Sequence, residues 1–177
     1  MQASFVLTII GPDRRGLVES LAQTITAHDG NWVESRMAHL AGQFAGLLWI
    51  TVPSERAAAL EDALRALAND ELHITIQHGE KAAPPEPQQT LRFQVIGHDR
   101  PGIVRDLARA LRQRDVNVEE LTSDSYSAPM SGEPLFKANI ELGIPAGADM
   151  NELHQAIAKL ADDLALDLTY EQTSAEG

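Results

Sequence analysis

Apolar residues recur at every second position at Phe5, Leu7 and Ile9, the spacing of a strand with one buried face. The pattern returns 86 residues later at Leu91, Phe93 and Val95. In the first half Leu17, Val18, Leu21, Ala22 and Ile25 follow at helical spacing, and Ile103, Val104, Leu107, Ala108 and Leu111 repeat them at the same shift. Asn31 and Asn117 then open a second extended segment in each half. Beyond it the shift grows to 92, with Pro129, Gly132 and Pro134 marking the longer loop of the second copy. Phe44, Gly46, Leu48, Ile50, Val52 and Pro53 meet Phe136, Ala138, Ile140, Leu142, Ile144 and Pro145, a third strand of period two. At a shift of 93, Leu60, Ala63, Leu64 and Leu67 meet Leu153, Ala156, Ile157 and Leu160, a second helix. Short last strands are expected at residues 73–78 and 167–173.

The order β-α-β-β-α-β therefore occurs twice. It predicts an α+β chain of two ferredoxin-like modules in tandem, each an antiparallel four-stranded sheet with two helices on one face. The modules are expected at residues 1–79 and 90–177, joined by a proline-rich linker at 80–89 that has no apolar period.

Charge and composition narrow the function. With 26 acidic against 14 basic residues the formal net charge is -12, which repels phosphate backbones and anionic lipid and so disfavours direct nucleic-acid or membrane binding. The absence of cysteine removes disulfides, thiol nucleophiles and thiolate metal sites. The apolar run at 5–10 is too short to span a bilayer and lacks the basic residues that precede a secretory signal, so a cytoplasmic location is expected. Halves this small bury only roughly 60% of their unfolded surface, which favours a homo-oligomer.

The first strand and first helix of each half are joined by Gly11-Pro12-Asp13-Arg14-Arg15-Gly16 and by Gly97-His98-Asp99-Arg100-Pro101-Gly102. The two glycines are spaced as in a phosphate-binding loop. Leu17-Val18 and Ile103-Val104 nevertheless stand where lysine and a hydroxyl residue are needed, which excludes nucleotide binding. What remains is a helix start whose backbone amides and dipole suit a small carboxylate. Asp13 and Asp99 also have a purely structural reading as helix caps, and Asn31 and Asn117 as turn residues. The functional reading brings acid, amides and carboxamide together at one end of the sheet, where they suit the ammonium and carboxylate of an amino acid.

At these residues the sequence resembles the ACT domain family, whose hallmark is the Asp-Arg-x-Gly-[Leu/Ile]-Val loop with its following helix and later asparagine. The resemblance covers about residues 3 to 79 and 90 to 173. It implies a non-catalytic regulator that binds a small amino acid, glycine ahead of serine, at interfaces between modules. It also implies control of a DNA-binding activator through protein contact. By the same resemblance the ligand residues are Asp13, Arg14, Gly16 and Asn31 in the first copy and Asp99, Arg100, Gly102 and Asn117 in the second.

The faces of the sheets turned away from the helices differ. Val6, Ala45, Leu47 and Trp49 point outward in the first module, against Arg92, Lys137, Asn139 and Glu141 in the second. An apolar outer face marks a contact, so these four residues are expected at an interface. A ligand-independent adaptor built on that face is the alternative function. An enzyme ranks last, because there is no nucleophile elbow, no cofactor motif and no histidine spacing suited to a metal. RNA recognition on the same fold needs basic and aromatic residues on the sheet, and only Trp49 qualifies.

Overall fold

The computed structural model describes residues 1–79, 89–114 and 116–171. The chain divides into two compact units, and each has the predicted fold. In the first, β1 (Gln2–Pro12), α1 (Leu17–Ala27), β2 (Asn31–Leu40), β3 (Gln43–Pro53), α2 (Ala57–Leu67) and β4 (His73–His78) follow in order, with a 3-10 turn at Ser54–Arg56. In the second, β5 (Gln89–His98), α3 (Ile103–Arg112), β6 (Asn117–Ser127), β7 (Pro134–Ile144), α4 (Met150–Asp163) and β8 (Leu166–Tyr170) repeat it.

Both sheets are antiparallel, in the orders β2-β3-β1-β4 and β6-β7-β5-β8. Strand β5 begins at Gln89, paired with Ile144, so the last residue assigned to the linker belongs to the sheet. The rest of that segment, 80–88, lies outside the described residues. The final strand, Leu166–Tyr170, starts one residue before the expected 167, because α4 runs on to Asp163 and turns through Ala165 at φ 53° straight into the sheet; residues 172–173 of the expected strand lie outside the described residues.

Period-two alternation decides what is buried. Phe5, Leu7, Ile9, Leu48, Ile50 and Val52 face α1 and α2, where Leu21, Ile25, Leu60 and Leu64 meet them. Phe93, Val95, Ala138, Ile140 and Leu142 meet Leu107, Leu111, Leu153 and Ile157 in the same way. The second strand of each module carries an irregularity at one repeat position, between Trp32 and Glu34 and between Val118 and Glu120. A bulge on an edge strand breaks the regular ladder that a stray strand needs.

Candidate functional site

The loops after β1 and β5 are built by two glycines with different tasks. A Cβ on Gly11 would lie 2.9 Å from the carbonyl oxygen of Glu71, and one on Gly97 would lie 2.9 Å from that of Ala165, so the connector before the last strand closes against this position. Gly16 and Gly102 instead sit at φ 86° and 95°, in the left-handed region that disfavours a side chain. They are the N-caps of α1 and α3, and neither helix has a side-chain cap. Asp13 and Asp99 therefore do not cap, contrary to the structural reading. Apart from Leu17 N–H, which donates to the Arg14 carbonyl at 3.4 Å, the first-turn amides are left to solvent or to an anion.

Both acids are held elsewhere, by counterparts in the repeat. Asp13 donates its backbone N–H to Gly42 at 3.2 Å, and its carboxylate lies 3.9 Å from His39 Nε2. Asp99 donates to the Pro134 carbonyl at 3.0 Å and accepts a 2.6 Å hydrogen bond from Ser125 Oγ. His39 and Ser125 are 86 residues apart, the repeat shift itself, but their unlike side chains hide the match in the sequence. Each loop is thus anchored to the far end of the second strand of its module.

That anchoring overturns the expected convergence. Asn31 is level with Thr51, and Thr51 with Ser4, whereas the loop follows Pro12. Asn117 is level with Gly143 and Thr90, whereas its loop follows His98. Eight residues of strand separate the two levels in each case, about 26 Å at roughly 3.3 Å per residue. The helix between the first two strands runs back along the sheet, so the second strand starts where the first one started. Within a module, acid and carboxamide sit at opposite ends. Asn31 is exposed, and Asn117 donates to Glu119 Oε1 at 2.8 Å.

The surroundings of the two loops also differ. Arg14 donates a hydrogen bond to Glu71, in a cleft of about 230 Å³ lined by Arg15, Gly16, Ser20 and Asn69 among others. Arg100 lies 3.8 Å from Asp106 of the following helix α3, and Asp106 is already bonded to Arg105 at 2.9 Å. Asn117 borders a shallow depression of about 390 Å³ between α3 and β6, with Ala108, Leu111 and Arg112. His98 is exposed and 3.8 Å from Glu133.

On the outer face of the first sheet Leu47 and Trp49 are exposed, at 52% and 42%, while Val6 and Ala45 are half-buried. The indole Nε1 of Trp49 donates to Ser4 Oγ at 2.7 Å. The second sheet carries a polar ladder there: Arg92 donates to Glu141 at 2.8 Å, Gln94 to Asn139 at 2.8 Å and Asn139 to Thr122 at 3.3 Å. The hydrogen bond and charge of Glu141 hold the Arg92 guanidinium above its ordinary pKa. Among the described residues no helix is long and apolar enough to cross a membrane, and no group of three or more His, Cys, Asp or Glu could hold a metal ion.

Comparison with known proteins matches the first of these loops to a family model. Residues 3–78 match the family model described as ACT domain. The chain is 26% identical to the glycine cleavage system transcriptional repressor of Escherichia coli (strain K12) over 165 residues, covering 92% of this chain and 86% of that protein. An unknown protein from Galdieria sulphuraria, known from its crystal structure, shares 25% identity with a TM-score of 0.78, over 97% of this chain and 98% of that one. A crystal structure provisionally assigned as a glycine cleavage system transcriptional repressor shares the fold at a TM-score of 0.72 and 19% identity, over 97% of each chain. The family model takes in the first module, and the second repeats its strand order, register, bulge and loop. The first module matches the ACT domain family, the second repeats its fold, and the chain resembles the glycine cleavage system transcriptional repressor over most of its length.

Proposed function

We propose that this protein is a non-catalytic regulator that binds a small amino acid, glycine first and serine next, between ACT modules and passes that state to a protein partner. The observation that carries the reading is the repeated helix start: in both modules a left-handed glycine opens a helix that has no side-chain cap, beside an arginine and an acid that serves no capping role. Amides and arginine match a carboxylate, and the acid matches an ammonium group.

Within a module the carboxamide stands at the other end of the sheet from the loop, so a pocket that holds both draws its residues from more than one copy of the module. The ligand residues are then Asp13, Arg14, Gly16 and Asn31 with Asp99, Arg100, Gly102 and Asn117, shared between modules of one chain or of a homo-oligomer. The acidic charge fits control of a DNA-binding activator by contact rather than by binding DNA.

Thermal-shift and titration measurements across the standard amino acids test the proposal. Glycine is expected to stabilise the chain, and Asp99→Ala or Asn117→Ala to weaken binding by about ten- to a hundredfold, as for loss of a charged hydrogen bond worth about 1.5–3 kcal/mol. No shift with any amino acid at millimolar concentration overturns it. A second reading rests on the exposed Leu47 and Trp49: a ligand-independent adaptor that docks through the outer face of the first sheet, with Val6 and Ala45. It predicts that Leu47→Glu abolishes self-association or partner capture while amino acids change neither. Unchanged oligomer mass and unchanged partner binding in that variant discard it.

A further inference from the structure

The two loops share one backbone plan but differ in what faces the arginine. In the first module, residues 68–72 connect α2 to β4. Asn69 Oδ1 accepts the backbone N–H of both Glu71 and Leu72 at 2.9 Å, which fixes the connector as a turn. Gly11, without a Cβ, lets the Glu71 backbone close onto β1. The Glu71 side chain is thereby brought to the cleft at the start of α1, where its carboxylate accepts from Arg14. Both partners are more than half exposed.

In the second module the connector has shrunk to Leu164 and Ala165, because α4 is longer than α2. Ala165 takes the place of Glu71 against Gly97 and carries no charge. Arg100 is left with Asp106, which sits on the helix behind it and is engaged by Arg105.

We propose that Glu71 is an affinity-determining residue that makes the two ligand loops unequal: its carboxylate occupies Arg14 as a resident stand-in for the ligand's carboxylate. An incoming amino acid must displace it at the first loop and meets at the second only the looser 3.8 Å pair of Arg100 with Asp106, whose carboxylate is already bonded to Arg105. The second loop therefore fills first, and one chain responds to two concentration ranges of the same ligand. This inference rests on the amino-acid-binding reading above.

An exposed ion pair is a weak competitor, so the expected effect is modest, about two- to fivefold in affinity. Calorimetric titration of the full chain with glycine, then serine, measures it. Arg100→Ala is expected to remove the tighter binding event. In that background Glu71→Gln is expected to tighten the remaining event about two- to fivefold. Unchanged or weaker binding on adding Glu71→Gln overturns the inference, and if the wild-type chain still binds, the sensing proposal stands. Absence of binding by every variant, Glu71→Gln included, overturns both. Because Glu71 is exposed and its backbone is held by Asn69, the variant is expected to fold, and its thermal midpoint checks that.

Discussion

The outer face of the first sheet carries Val6, Ile10, Leu47 and Trp49, while the second carries Arg92, Ile96, Asn139 and Glu141 at the same repeat positions. On the inner faces the same strands are almost interchangeable: Phe5, Leu7 and Ile9 against Leu91, Phe93 and Val95, all buried. Packing against two helices constrains the inner face to apolar side chains of similar volume, because voids and overpacking both destabilise. The outer face has no such partner inside its module, so it is free to diverge. In the second module it is closed by its own hydrogen bonds, and in the first it presents an indole and a leucine to solvent.

The equivalence of the inner faces makes the largest prediction. Phe5 and Phe93 are both buried beneath the helices, and truncating either to alanine is expected to cost about 3–5 kcal/mol of stability, measured by denaturant unfolding. A much smaller loss at one of them breaks the comparison, since that core is then not packed as its twin is.

Much of this was legible in the chain before any coordinates. The alternation of Phe44, Leu48 and Ile50 gave the buried face of the third strand, and the 86-residue shift gave both loops with their glycines. Periodicity reports which face a residue is on, yet says little about which end of the sheet it reaches. The convergence of Asn31 with the first loop failed for that reason, since a helix returning along the sheet sets strand starts together and away from the loop. The partners His39, Glu71 and Ser125 were missed for a different reason. Arg14 and Glu71 are 57 residues apart, and Asp99 and Ser125 are 26 apart, and no local pattern links such pairs.

Helix starts give the middle prediction. Asp149 caps α4 through its Oδ1, which accepts from Asn151 N–H at 2.8 Å and from Glu152 N–H at 3.1 Å, whereas Asp99 caps nothing. Asp149→Ala is expected to cost about 1 kcal/mol and leave ligand affinity intact. Asp99→Ala, which loses only the exposed Ser125 hydrogen bond, is expected to cost less stability than Asp149→Ala and to weaken the ligand. Equal stability losses in the two variants return Asp99 to a structural role.

The smallest effect is alkaline and belongs to the second module. Tyr170 stacks near Phe93 with ring centroids 6.2 Å apart, and its hydroxyl donates to the His154 carbonyl at 3.2 Å. At the matching place in the first module Leu7 is paired with Ile76, which cannot titrate. Burial pushes the Tyr170 hydroxyl above its ordinary pKa, so the folded chain holds that proton more tightly than the unfolded chain. Its contribution is therefore complete below about pH 10, the ordinary tyrosine value, and is lost as pH rises through the higher folded value. Unfolding titrations in that range are expected to show a fall in stability that Tyr170→Phe reduces. A fall of the same size in Tyr170→Phe assigns the alkaline loss to other groups and removes this difference between the modules.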